Sequence, residues 1–505
     1  MDTGLDIIKG ITAEFEEYLT PEVVQTKSKG EILKLLVNCF APLDFKVLKY
    51  SDTPAVQLGD NLKLTKPDLK VLIVNEILKA ARVNNWNLCR QGGYCYIYNG
   101  TFWEKLNDDD LKHFLSDCAV GMGIESTTAT EVNFVDTLYK QFAFSAHLQP
   151  PEFSRNEVLI NLQNGTFEIN TQRQELRGFN PADFLTHQLP FLYDPKAQAP
   201  IFTQYLNRVL PDETAQAVLA EYIGYLFIRH GSGLKLEKCL ILYGKGANGK
   251  SVFYEVLTAL LGKESTCSYT LSELTDTSGY YRAEISNKLV NYASEISRQM
   301  NSDMFKKLAS GEPFTARSPY EKPFEVYNYA KMIFNANELP KDTEQTNAFF
   351  RRFLIIPFDV TIPENEQDKE LHRKIISTEL AGVFNWVLAG LKRLLVNKKF
   401  TECKASADCL EQYRIDSDTV ASFLHENDYQ PSTSERIPLK ELYAKYRDYC
   451  SNDGYRACSN RTFADRLRVK KYGIMRGREG MSIYIEKTGK TVNDCHPLYP
   501  EKSLF

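Results

Sequence analysis

Residues 239–262 read CLILYGKGANGKSVFYEVLTALLG. Five apolar residues, Cys239–Tyr243, are too few for a helix and suit a buried strand. A glycine-rich turn follows, and then Val252, Phe253, Val256, Leu257, Leu260 and Leu261 recur at helical spacing until Gly262 stops the run. Strand, loop and helix in that order make the GxxxxGKS pattern specific. The glycines let successive N–H groups face an anion, and the helix starts with its positive end toward it. Lys250 would meet the β and γ phosphates, and the Ser251 hydroxyl a magnesium ion. The cradle expected to bind the nucleotide is Gly244, Gly246, Asn248, Gly249, Lys250, Ser251 and Val252. The predicted fold class is α/β, around a phosphate-loop core.

A second buried strand is read at Lys288–Ala293, ending in Ser294 and Glu295. An acid at the end of a core strand can hold the metal shell or orient water, so Glu295 is assigned there, with Glu338 as the weaker competitor. A third strand, Tyr329–Phe334, leads into Asn335 and Asn337. Asn337 is preferred as the amide that meets the γ-phosphate or the water. Arg351 and Arg352 precede a strand at Phe353–Phe358. A guanidinium there can reach a neighbouring subunit's phosphate, with Arg352 the first choice and Arg351 the second. Between the second and third strands, KKLASGEPFTARSPYEKPF (306–324) reads as a broken helix and an extended pair with basic and aromatic residues interleaved. Lys306, Lys307, Arg317, Tyr320 and Lys322 are its candidate nucleic-acid contacts.

Five stretches, GKGANGKS, LVNYASE, KKLASGEPFTARSPYEKPF, KMIFNANELP and FFRRFLIIPF, stand in this order. Together they resemble the superfamily 3 helicases, specifically the phage and plasmid primase-helicases related to the poxvirus D5 NTPase. The resemblance covers about residues 150–400. It implies an AAA+-like ATPase core, ATP and Mg2+ as cofactors, and a homohexameric ring translocating 3'-to-5' on single-stranded and forked DNA. It further implies service at a replication fork of a virus or mobile element, in the host cytosol, with a primase, polymerase or single-strand-binding partner. Lys250 and Ser251 fall on its Walker A pair and Glu295 on its Walker B acid. Asn337 falls on sensor 1, and Arg352 on or beside its arginine finger. One departure is that the Walker B strand ends in a single acid.

The remainder of the chain is read around this core. It has 505 residues, enough for several domains, and a net charge of -4, so nucleic-acid binding would need local basic patches. The 11 cysteines show no zinc spacing, and neither a signal peptide nor a membrane span is read. Residues 1–145 read as an α+β oligomerisation or docking domain without a primase's acidic centre. There Asp108–Asp110 is taken for a solvated turn, and Asn99-Gly100 and Asn164-Gly165 for hairpin turns. Residues 146–234 read as a helical collar, 235–400 as the core and 401–436 as a helical linker. Residues 437–505 read as a winged helix with a tail, its candidate contacts being Arg461, Arg466, Lys470, Lys471, Arg476 and Arg478. Two other functions remain in view: an origin-binding initiator ATPase, and a non-helicase motor for packaging or remodelling.

Overall fold

A computed structural model describes residues 26–50, 63–149, 157–296, 300–317, 323–340, 346–455, 457–477 and 480–487. Tyr320, Lys322 and Arg478 lie outside these described residues.

The amino-terminal unit packs α1 (Lys29–Val37), α2 (Lys66–Val83), α3 (Asp108–Gly121) and α4 (Val132–Ser145) with an antiparallel sheet of β1 (Leu88–Gln91), β2 (Tyr94–Tyr98) and β3 (Trp103–Lys105). Ile32, Ile77, Leu115 and Phe142 meet in its core. Asp108–Asp110 is not a turn but the first turn of α3, behind the N-cap Asn107. Three carboxylates there complement the positive end of the helix dipole, so the charge run marks a helix start. A second small sheet joins β4 (Val158–Leu162), β5 (Gly165–Ile169) and β6 (Gln174–Arg177). Leu162 pairs with Gly165, so the turn residues are Gln163 and Asn164, one position earlier than read from the sequence.

Two helices, α5 (Pro200–Val209) and α6 (Glu213–Tyr225), precede the main sheet. That sheet contains β7 (Cys239–Tyr243), β8 (Thr266–Cys267), β9 (Val290–Ala293), β12 (Lys331–Ala336) and β13 (Phe353–Pro357), in the order β13-β7-β12-β9-β8. All its pairings are parallel. Between its strands run α7 (Lys250–Leu261), α8 (Ser302–Ser310), the hairpin β10 (Phe314–Ala316) and β11 (Phe324–Val326), and the short α9 (Asn347–Phe350). Alternate residues of each strand face opposite sides, as the two-residue repeat requires. Leu240, Leu242, Ile333 and Ile356 enter a core with α5, α6, α7 and the later helices α10 (Leu371–Thr378) and α11 (Leu380–Asn397). Cys239, Ile241, Phe334 and Ile355 enter a separate core on the other face with Phe305 of α8. Both faces are covered, which explains the unbroken apolar runs in the sequence.

Helices α6 and α11 touch backbone to backbone. A Cβ on Gly390 would lie 2.4 Å from the carbonyl carbon of Ala220, and one on Gly224 would lie 2.7 Å from Cβ of Leu391. Gly390→Val is therefore expected to destabilise this unit by about 3 kcal/mol or more, because backbone rather than a pliant side chain must yield. Urea unfolding should show a lower midpoint at unchanged slope. Beside this contact, the fully buried Glu221 carboxylate accepts from Arg393 Nε (3.0 Å), Thr401 N (2.7 Å) and Thr401 Oγ1 (2.6 Å).

The stretch 401–436 is not a linker. It divides between two cores. Helix α12 (Lys404–Asp416) lays Tyr413 edge-on to Phe350 and Phe353, with ring centres 5.4 and 5.7 Å apart, and so belongs to the main sheet. Helix α13 (Thr419–Glu426) sends Val420 and Phe423 into the carboxy-terminal core. That last unit comprises α13, β14 (Tyr429–Pro438), α14 (Leu439–Asn452), α15 (Asn460–Val469), β15 (Ile474–Gly477) and β16 (Gly480–Lys487). Its sheet is antiparallel in the order β14-β16-β15.

Candidate active site

The loop between β7 and α7 sits at the carboxyl end of a central parallel strand, where open α/β sheets place their ligands. Its curl is set by sterics. Ala247 and Gly249 have φ of 59° and 88°. A side chain on Gly249 would strike Val209 Cγ1 at 2.8 Å, and one on Gly244 would strike the Phe358 carbonyl oxygen at 2.3 Å. Gly246 has open space around it and a negative φ, so of the three loop glycines it alone meets no such demand. The loop is pinned from three sides. Asn248 Nδ2 donates to Phe358 O (2.9 Å), Ile362 N donates to Ala247 O (2.8 Å) and Tyr205 Oη donates to Gly249 O (2.8 Å).

No side chain caps the amino end of α7. Its first N–H groups therefore have no intrahelical acceptor and lie open to an anion. Lys250 is buried, and its ammonium donates to Gly244 O (2.5 Å) and Asn248 Oδ1 (3.0 Å). Burial lowers its pKa from the ordinary lysine value. A polyphosphate would supply the counter-charge that this ammonium otherwise takes from dipoles, so the donor set fits a nucleoside triphosphate.

The cleft over this loop has a volume of about 740 Å3. Gly246, Asn248, Gly249, Lys250, Ser251, Val252 and Asn337 all line it, with Ser294 at the end of β9. Asn335 lines it too, one strand repeat before Asn337, and its Oδ1 accepts from the buried Tyr292 hydroxyl at 2.9 Å. Glu295 is exposed and lies one residue beyond the lining. Three acids do line the cleft, Glu255, Glu366 and Asp368, and of these Glu255 lies one helical turn after Ser251. The i,i+4 spacing of Ser251 and Glu255 places them on one face of α7, a signal present in the sequence but not read from it. Tyr205 and Arg208 of α5 form another wall, and Arg208 pairs with Glu366 across the mouth.

Arg351 and Arg352 stand at the opposite end of the sheet. Phe353 pairs with Cys239 at the start of β7, whereas the loop 244–251 follows its end. Arg352, preferred from the sequence, is enclosed by its surroundings. Its guanidinium is buried, with Nη2 donating to Ser310 Oγ (2.8 Å), Nε donating to Lys306 O (3.2 Å) and Nη1 donating to Ala348 O. Arg351 points outward, its side chain 56% exposed and paired with Glu237 at 2.9 Å.

The hairpin expected after α8 is present, with Phe314 opposite Val326 and Ala316 opposite Phe324. Lys307 is exposed on α8, whereas Lys306 pairs with Asp303 at 2.9 Å. Arg317 is exposed at the hairpin's end. It donates to Tyr280 Oη (3.0 Å) and lies 5.0 Å from that ring's centre, a partner the sequence reading did not include. In the carboxy-terminal unit, Arg461, Lys471 and Arg476 are exposed. Arg466 and Lys470 instead turn inward to Asp418, at 3.6 and 2.8 Å. That acid caps α13, so two expected contacts of this basic patch are held within the chain.

Among the described residues no cluster of His, Cys, Asp or Glu could hold a metal by itself, and no helix is long and apolar enough to cross a membrane.

Three family models match the chain. Residues 75–211 match a family described as D5 N terminal like, and residues 415–487 match one described as Poxvirus D5 protein-like. Residues 242–352, with the loop 244–251, match a family of unknown function (DUF5906). Among curated proteins, the chain is 23% identical over 338 residues to "Putative helicase 121R" of Invertebrate iridescent virus 3, covering 59% of this chain and 35% of that protein. It is 26% identical over 247 residues to "Putative helicase L207/L206" of Acanthamoeba polyphaga mimivirus, covering 44% and 24%. The chain thus spans about a quarter to a third of the length of these relatives. Among solved structures, the apo C-terminal region of NrS-1 aligns at 14% identity over 82% of this chain and 98% of that one, with a TM-score of 0.45. The two D5 matches and the viral relatives bear out the D5-type resemblance carried by the five motifs.

Proposed function

From this D5-type resemblance we propose that the chain is an ATP-hydrolysing DNA helicase of superfamily 3 type. One observation carries the reading most. A buried lysine and an uncapped helix end face a cleft where Ser251, Ser294, Asn335 and Asn337 converge. In this reading Lys250 and the first N–H groups of α7 bind the β and γ phosphates and stabilise the charge that develops there. Magnesium, when bound, would neutralise phosphate charge, with the Ser251 hydroxyl and the Glu255 and Glu295 carboxylates as the groups to hold it and its waters. Asn337 orients the attacking water, and Glu295 at the end of β9 accepts its proton. The main sheet with α5 to α12 forms an AAA+-like core, and the amino-terminal unit serves assembly or docking. A hexameric ring would bring Arg351 to a neighbouring subunit's nucleotide and line a channel with the β10–β11 hairpins, for 3'-to-5' travel on single-stranded DNA.

The test is unwinding of a fork with a 3' single-stranded tail, in ATP and magnesium. Lys307→Ala is expected to lower unwinding at least about tenfold while DNA-free ATP hydrolysis stays within about twofold, since a phosphate grip is lost and the loop is untouched. ATP hydrolysis with no unwinding by wild-type protein would move the assignment to a second reading, an initiator that remodels duplex DNA. Its supporting observation is the exposed set Arg461, Lys471 and Arg476 on a helix and strand arrangement of winged-helix type.

A further inference from the structure

At the amino ends of β9 and β12, away from the phosphate loop, lies a second cavity of about 480 Å3. Six parts of the chain wall it: the β1–β2 turn, Leu159 of β4, the 184–187 loop, the segment after α6, the stretch 286–289 ahead of β9, and the stretch from β11 into β12. Phe184, Phe227 and Tyr329 supply aromatic surface, and His187, Arg229 and Lys331 supply polar groups. The carboxylate on the wall, Glu325, is exposed at the rim, where the Tyr327 hydroxyl donates to it.

The polar groups are unusual for an interior. Lys331 is buried, its ammonium donating to Ile228 O and lying 4.4 Å from the centre of the Tyr225 ring. Burial pushes it down to about 7. The Arg229 guanidinium donates to Asp183 O (3.1 Å) and Phe184 O (3.2 Å), and burial lowers it to about 10. His187 Nε2 is buried and has no hydrogen-bond partner among the described residues. Burial and the nearby Arg229 push the His187 imidazolium down to about 3. Two cationic side chains and an unpartnered ring nitrogen in one enclosed space carry a desolvation cost that a bound anion would offset. The volume is in the range of small-ligand pockets, and the aromatic walls suit a flat ring.

We propose that this cavity is a second ligand site, which takes a nucleoside monophosphate unit with its phosphate on Arg229 and Lys331, its polar edge on His187 and its base against the aromatic wall. Guanidinium and ammonium groups match phosphate oxygens, and a base stacks on aromatic faces irrespective of its identity. The site lies apart from the phosphate loop and does not depend on it. Because it borders both the amino-terminal sheet and the root of the β10–β11 hairpin, its occupant would fix one against the other.

The unit can come as a free nucleotide or as the phosphorylated end of a strand, and the test separates these. Thermal unfolding of the full chain is followed with ATPγS and magnesium present, adding dTMP, thymidine or 5'-phosphorylated (dT)4. A rise of about 2 °C or more is expected with dTMP, the oligonucleotide or both, and none with thymidine. A response to dTMP identifies a free nucleotide, and a response to the oligonucleotide alone identifies a strand end. The rise should persist in Lys250→Ala, which leaves this cavity intact, and vanish in Lys331→Met. An equal rise in Lys331→Met, an equal rise with thymidine, or no rise with either phosphate would overturn the proposal. Should Lys331→Met fail to fold, photo-crosslinking of wild type with 5-iodo-dUMP decides. Label on 91–92, 159, 184–187, 226–230, 286–289 or 325–331 supports the site, and label only elsewhere refutes it.

Discussion

Lys250→Ala is expected to lower ATP hydrolysis by about a thousandfold, equivalent to about 4 kcal/mol of lost transition-state stabilisation. The side chain is buried at the loop and can bring one positive charge to phosphate oxygens in the cleft. The fold should survive. Without nucleotide this ammonium bonds to Gly244 O and Asn248 Oδ1 within its own loop, and it pays a desolvation cost that alanine lacks. Phosphate release measures the first expectation and an unchanged melting temperature the second. Retained hydrolysis in a well-folded variant would remove the loop from the chemistry and with it the motor reading.

Arg351→Ala should produce a loss of similar size, about a thousandfold, with nucleotide binding and melting temperature preserved. Cys239–Tyr243 separates the level of Arg351 from the phosphate loop by about 16 Å of strand, beyond the reach of an arginine side chain. An effect on hydrolysis would therefore have to act on another subunit's nucleotide. Mixing Lys250→Ala with Arg351→Ala protein should then restore activity, because some interfaces regain both groups. No recovery on mixing would sink the assignment. Arg352→Ala should behave differently. It strands Ser310 Oγ and the carbonyls of Lys306 and Ala348, so about 2–4 kcal/mol of stability should be lost before any effect on catalysis can be read.

What the sequence disclosed and what it concealed divide by range. The loop 244–251, its strand and its helix were legible because each signal lies within a few residues of the next. The end of β12 was legible for the same reason, although Asn335 and Asn337 share the cleft and the sequence favoured one of them. The burial of Arg352 was not legible because it is decided by Ser310, 42 positions away. Arg466 and Lys470 read as a surface patch because nothing local announces Asp418. Likewise Tyr205 lies 44 positions before the loop carbonyl it holds. The supposed linker misled for a different reason. Each half of it is amphipathic toward a separate core, so no single periodicity runs through it.

Helix α5 has a practical consequence for anyone who wishes to isolate the nucleotide-binding part. Its Tyr205 and Arg208 wall the cleft, and its own amino end is held from far downstream, where the buried Glu379 carboxylate accepts from Ile201 N (2.9 Å) and Phe202 N (2.8 Å). A fragment begun at residue 235, just ahead of the first core strand, would discard that wall and strand Glu379 without its donors. The shortest autonomous piece must start before Pro200 and run past α12, whose Tyr413 covers the far edge of the sheet. Trimming experiments that take the phosphate loop alone as their guide should yield insoluble protein, and those that keep both ends of this clasp should not.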